Sequence, residues 1–140
     1  MNRNPLNAYR QTKVKTAGQG RLIVMLYDEA IKQLDHADHE LKKQDAKLDI
    51  VHNCIVKTQD IVTELMASLD FEKGGDIAQN LYNLYMFFNQ QLMEANIQKK
   101  PEYLKDTRHL LAELRVAWAS IEGKTAAPAN PVSVGVNIAG

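Results

Sequence analysis

The sequence predicts an all-α protein: an antiparallel up-and-down four-helix bundle with a short N-terminal arm and a disordered C-terminal tail. Three observations predict it. Four segments repeat apolar residues at intervals of three and four, the spacing that places them on one helical face. The breaks between those segments are short and polar, as in bundles whose neighbouring helices run antiparallel. No stretch of the body reads as a strand. The layout is an arm at 1–20, a bundle at 21–123 and a tail at 124–140. A chain of 140 residues with 45% hydrophobic residues is expected to form one domain with a real core.

In the arm, Pro5, Gly18 and Gly20 argue against one long helix. Leu6 and Tyr9 stand three residues apart, so a single helical turn would put both on one side, and Val14 follows as a further apolar anchor.

The first helix is expected from Arg21 to Lys43. Leu22, Leu26, Ala30, Leu34, Ala37 and Leu41 form its main row, with Val24, Tyr27 and Ile31 beside them. Asp35, His36 and His39 fall on the far side. Lys42 to Asp45 is a polar break.

The second helix is expected from Ala46 to Leu69. Leu48, Val51, Ile55, Thr58, Val62, Leu65 and Leu69 step alternately by three and four, which is a bundle seam. Ile50, Cys54 and Ile61 widen the apolar face beyond what one seam uses. Asp70 to Gly75 reads as a turn.

The third helix, expected from Gly74 to Asn96, is the unusual one. Ile77, Leu81, Leu84, Phe88, Leu92 and Ala95 make a core face. Tyr82, Met86 and Met93 gather on nearly the opposite side, and Tyr85 and Phe87 flank the core face. A helix that is apolar all round is usually buried, and so short a chain has few elements to bury it. A segment of the same chain or a partner is expected to cover this surface.

The fourth helix starts at Pro101, a residue favoured at a first helical position. Leu104, Thr107, Leu111, Leu114, Trp118 and Ile121 form its seam, with Tyr103, Leu110 and Ala117 alongside; Gly123 ends it. Beyond it the composition shifts to Ala, Pro, Asn and Val. Val132, Val134, Val136 and Ile138 alternate as in a strand, with no second strand to pair with.

Catalytic and metal chemistry finds little support. Cys54 is the only cysteine, so a disulfide within the chain and a cysteine-based zinc site are excluded; it reads as a small core residue. A di-iron bundle needs Glu-x-x-His on two helices, and no Glu here has a His three residues on. Asp49/His52 and Asp106/His109 are Asp-x-x-His pairs on polar faces. Gly18-Gln19-Gly20 lacks the preceding strand of a nucleotide loop. No catalytic residue, metal or cofactor is therefore assigned. No apolar run is long enough to span a membrane, and a lone cysteine fits a reducing compartment, so a cytoplasmic location is expected.

The formal net charge of zero conceals an asymmetry. Residues 1–21 carry Arg3, Arg10, Lys13, Lys15 and Arg21 and no acid, whereas all 17 Asp and Glu lie in residues 22–122. A basic arm on an acidic body can dock on that body or bind nucleic acid. The second possibility is a non-catalytic regulatory or nucleic-acid-binding adaptor, kept as the alternative function.

Several runs together resemble the FliS family of flagellar export chaperones. They are Leu6-Asn7-Ala8-Tyr9; Val14-Lys15-Thr16-Ala17 followed by Leu22-Ile23-Val24-Met25-Leu26-Tyr27-Asp28; Leu69-Asp70; Gly74-Gly75-x-Ile77-Ala78-x-Asn80-Leu81-x-x-Leu84-Tyr85; Ala95-Asn96; and Leu114-Arg115 with Trp118. The likeness covers residues 6–122 in order. The chain departs from it at Gly18-Gln19-Gly20, where the family often has Ser-Pro, and at Glu29, where Gly is common. The resemblance implies a four-helix bundle that binds the disordered C-terminal region of flagellin, blocks premature polymerisation, and docks on the cytoplasmic part of the export gate protein FlhA. It leaves flagellar regulatory proteins as further partners and implies neither nucleic acid nor membrane insertion. The expected client groove comprises Tyr27, Ile31, Ile50, Cys54, Ile61, Tyr82, Tyr85, Met86 and Met93. Leu6, Tyr9 and Val14 are the expected arm and export-gate contacts. The arm is expected to cover part of the groove until a client arrives, hinging at Gly18 and Gly20.

Overall fold

A computed structural model describes residues 19–122, which form four helices. They are α1 (Gln19–Leu41), α2 (Leu48–Ala67), α3 (Phe71–Gln98) and α4 (Glu102–Glu122). The connections are short, so consecutive helices run antiparallel. Each packs on its chain neighbours, and α1 also packs on α4, closing a four-sided ring. This is the up-and-down bundle expected. The arm residues Leu6, Tyr9 and Val14, and the tail 124–140, lie outside the described residues.

In a closed ring every helix faces two neighbours, so each needs two apolar rows. On α2 the seam residues Val51, Ile55, Thr58, Val62 and Leu65 are buried, and so are Cys54 and Ile61 of the second row. On α1 the buried set is equally broad, from Leu22, Ile23 and Val24 through Tyr27, Ala30, Leu34 and Ala37. The extra width read from the sequence of α2 is thus used by the core.

The helix ends explain where the expected boundaries shift. α1 begins at Gln19. Gly20 is therefore a helical residue and not a hinge. α2 starts at Leu48, and this first residue of the helix is 51% exposed instead of in the seam, which begins at Val51. The preceding loop is tied by Glu40, which is almost fully buried. Its carboxylate accepts the Lys47 backbone N–H at 3.0 Å and the Lys43 ammonium at 3.1 Å. These donors, the Lys47 N–H foremost, hold its pKa below the ordinary glutamate value.

α3 begins earlier than the two glycines suggest. Asp70 caps it, its side chain accepting the Glu72 and Lys73 N–H groups, both at 3.1 Å. Such a cap contributes about 1 kcal/mol. Further on, Gly75 breaks the helix with φ 49° and ψ −123°. That backbone conformation is available to glycine and strained for any other residue. The long part of α3 is re-aimed after the break. Ile77, expected in the core, is 54% exposed as a result, at the end of the bundle where the described part of α4 also stops. Its place in the core row is taken by Ala78, which leads into Tyr85, Phe88, Leu92 and Ala95.

Candidate functional site: the outer face of the third helix

Exposed large apolar side chains are unevenly shared among the helices. Eight are exposed among the described residues, and six of them stand on α3: Phe71, Ile77, Met86, Phe87, Met93 and Ile97. The other two are Leu48 on α2 and Val116 on α4. A single exposed apolar residue needs no explanation, but a concentration on one helix marks an interaction surface.

Tyr82, Met86, Asn89 and Met93 step by four, three and four, which draws a stripe along the edge of α3 facing α2. Between this stripe and Gln59 and Thr63 of α2 lies an open groove of about 670 Å³, with Met86 and Met93 on its α3 wall and Phe87 at its rim. The two helices are bridged here by polar groups, not filled by apolar ones. Asn89 Nδ2 donates to Thr63 Oγ1 at 3.5 Å, and the Asn96 amide meets His52 Nδ1 at 2.9 Å. At the end near the Gly75 break, Phe71 packs edge-on against Tyr82 with ring centroids 5.8 Å apart. The groove therefore offers thioether and aromatic surface over a floor of amides and a hydroxyl. Flexible Met side chains suit a surface that adapts to apolar anchors of varied shape.

The nine residues expected to line one groove do not lie together. Met86 and Met93 are exposed on the α3 wall, and Tyr82 is half-buried at its end. Ile31 and Ile50 are half-buried and packed on the core. Tyr27, Cys54, Ile61 and Tyr85 are inside the core, none more than 4% exposed. Spacing places a residue on a face but does not say which neighbour covers that face. Thr63, Gln59 and Asn89 line the groove without being expected there, because they are polar; the four-three-four stripe through Asn89 is the signal the sequence offers.

The buried tyrosines have a different role. Tyr27 of α1 and Tyr85 of α3 meet hydroxyl to hydroxyl at 2.5 Å across the diagonal of the ring. Burial raises the pKa of both. Tyr85 is pushed up to about 12, with a hydrogen bond from Tyr27 drawing it partly back. Tyr27 goes well above its ordinary value, because of burial first and then the neighbouring Tyr85; a hydrogen bond to Trp118 opposes this. The indole N–H can only donate, so these directions fit a chain in which Trp118 of α4 donates to Tyr27 and Tyr27 donates to Tyr85. The Tyr27–Tyr85 contact ties α1 to α3 through the core.

On the opposite side, α1 and α4 are closed by two forked ion pairs one heptad apart. Arg115 reaches Asp28 through Nε at 2.7 Å and Nη2 at 3.3 Å, and Arg108 reaches Asp35 through Nε at 2.9 Å and Nη2 at 3.2 Å. A recess of about 390 Å³ beside them is lined mainly by charged groups, including Asp38, Lys42 and Lys105. Asp38 and Lys42 are already paired at 2.9 Å. Among the described residues no cluster of three or more His, Cys, Asp or Glu is placed to hold a metal ion. His52 and His109 are exposed, and neither Asp-x-x-His pair faces the core.

A helical bundle with its spare apolar surface gathered on one helix belongs to the class of helical binding proteins, in which a partner segment lies along a groove. The particular family is shown by sequence. The chain belongs to the FliS family: the family model described as "Flagellar protein FliS" matches residues 2–125. It is similar to the flagellar secretion chaperone FliS of Salmonella typhimurium, with 34% identity over 125 residues, covering 85% of this chain and 90% of that protein. The protein of the same description from Vibrio cholerae is 31% identical over 123 residues, covering 85% and 89%. That from Bacillus subtilis is 27% identical over 115 residues, covering 82% and 84%. Among the described residues no helix is long and apolar enough to cross a membrane.

Proposed function

We propose that this protein is a cytoplasmic export chaperone for flagellin. It binds the disordered C-terminal region of flagellin, keeps it from polymerising prematurely, and delivers it to the cytoplasmic part of the export gate protein FlhA. The observation that carries this reading is the exposed apolar surface of α3, the helix on which six of the eight exposed large apolar side chains among the described residues stand, with Met86, Phe87 and Met93 gathered at the groove beside α2. The secretion-chaperone description shared by the relatives supports it.

The mechanism follows from the groove. Apolar residues of the client settle against Met86, Met93 and Phe87, while its backbone amides find partners among Gln59, Thr63 and Asn89. Each apolar side chain fully buried contributes about 1.5–3 kcal/mol. Each client residue that becomes ordered costs about 1–2 kcal/mol. Three anchors alone cannot order a long segment, so the client is held at scattered anchor points along the bundle and released when the gate competes for it. Leu6, Tyr9 and Val14 of the arm contribute to gate docking in this reading. The reading is tested by following polymerisation of purified flagellin by light scattering. The wild-type protein at equimolar ratio is expected to hold it back, and Met86→Glu to do so much less. Unimpeded polymerisation with the wild-type protein would sink the proposal.

A further inference from the structure

The four seams of the ring are closed by different means. α1 and α2 pack most closely. α1 and α4 are clamped by the Asp28–Arg115 and Asp35–Arg108 forks. α2 and α3 are bridged by the Asn89–Thr63 and Asn96–His52 contacts. The α3–α4 seam is the loosest of the four, and among the described residues no side-chain hydrogen bond or ion pair crosses it. Leu81 and Leu84 on α3, and Leu110, Leu114 and Ile121 on α4, are apolar residues only partly buried. Ile77 stands 54% exposed at its end.

That end is where the chain leaves the bundle. The Lys99–Pro101 connection joins α3 to α4 at the far end, so the last described residue, Glu122, lies level with the first turns of α3. Eighteen residues follow. Only Lys124 among them is charged, and Val132, Val134, Val136 and Ile138 alternate so that an extended backbone puts all four on one side. Pro128 and Pro131 disfavour a continued helix. Val132 is ten residues beyond Glu122, so up to ~33 Å of extended chain is available to reach back along the seam. The length of α4 itself is only ~30 Å at the helical rise. Charge separates this segment from the N-terminal arm. The arm carries Arg3, Arg10, Lys13 and Lys15, whereas Asn80 and Ala117, which flank the seam by helical spacing, are neutral. An uncharged apolar segment fits an uncharged apolar seam.

We propose that residues 132–138 dock in extended form along the α3–α4 seam, covering Ile77, Leu81, Leu84, Leu114 and Ile121 in the free protein. The tail is tethered beside the seam, so its local concentration exceeds that of any second copy at ordinary protein concentrations. This docking needs no partner and stands whether or not flagellin is the client. It also makes the tail a built-in competitor for any partner that uses the α4 side of α3.

The test is a spin label at Val136→Cys in the full-length chain, with Cys54→Ala to leave one thiol. Paramagnetic broadening of methyl signals is read. The expected result is selective loss of intensity at Leu84, Leu114 and Ile121, with Met86 and Met93 unaffected. Adding Val134→Asp to the tail, or Ile77→Glu on the exposed end of α3, should restore that intensity while helicity stays unchanged. A sample mixing labelled and isotopically enriched chains should show no broadening. Absent or uniform broadening overturns the proposal, as does broadening centred on Met86 and Met93. Broadening in the mixed sample overturns it in favour of a second copy as the occupant.

Discussion

Replacing Tyr85 with Phe removes the hydroxyl that meets Tyr27 across the bundle and leaves the Tyr27 hydroxyl buried without that partner. A buried hydroxyl deprived of its partner costs about 1–3 kcal/mol. Tyr27→Phe should cost a similar amount, leaving the buried hydroxyl of Tyr85 without its partner. The double replacement should cost less than the sum by about 1 kcal/mol, because the first deletion already forfeits the bond. The pH dependence carries a second signature. The folded-state pKa of Tyr85 is about 12, above the ~10 of an unfolded chain. The folded protein therefore keeps a proton that the unfolded chain releases. Stability is fully present below pH ~10 and declines as pH rises toward the folded value. Between those two values the loss amounts to about 3 kcal/mol. Burial raises the Tyr27 value as well, so Tyr85→Phe should reduce this alkaline loss and the double variant should abolish it. The assay is urea unfolding followed by circular dichroism at pH 7 and pH 11, comparing variants so that other titrating groups cancel. Additive single and double costs at pH 7, together with the same alkaline loss in all four proteins, would refute the reasoning.

Three other outcomes follow from particular side chains. Glu40→Gln should weaken the protein at neutral pH and flatten its acid limb: the pKa of Glu40 is lowered in the fold, so its contribution is present above the ordinary glutamate value and lost as pH falls through the folded one. Acid titration of the unfolding midpoint reads this directly. Thr107→Val should stabilise by about 1 kcal/mol, because the Thr107 hydroxyl is buried with no partner among the described residues; thermal unfolding should then rise by about 2–4 °C. Deleting residues 2–12 should leave the bundle folded and client affinity unchanged or higher, while docking on the cytoplasmic part of FlhA falls. Normal gate docking after that deletion would mean the arm has no part in delivery.

Much of the fold is legible because the three-four spacing is a local signal repeated over four segments. The second row on α2 is visible as well, but its expected use is a client groove, whereas Cys54 and Ile61 are buried in the core of the ring. Two of the differences between expectation and structure share one cause. Periodicity fixes direction about a helix axis and carries no information on which element stands there. Hence Tyr27 and Tyr85 share an expected groove with Met86, although the tyrosines meet inside the ring and Met86 faces outward. Hence too Ile77, in phase with the core row, is exposed after the Gly75 break re-aims the helix. Gln59 and Thr63 are silent in the sequence for another reason: a groove floor made of polar groups leaves no mark in an apolar pattern, and Asn89 is signalled only by its place between Met86 and Met93 in the stripe. The excess apolar surface on the third helix is visible in the sequence, because it needs only composition and one helical wheel.

In the proposed function, the exposed face of α3 receives the C-terminal region of flagellin. Isothermal titration of that purified region into wild-type protein and into Met86→Glu measures it most directly. Met86 is 49% exposed, so the replacement should leave helicity and thermal stability close to wild type. A charge that must be desolvated on binding, with the loss of one apolar anchor, is worth at least ~1–3 kcal/mol. Saturable binding to the wild-type protein is expected, with binding to the folded variant weaker by about fivefold or more. Equal affinity for both, with the variant folded, would contradict that proposal.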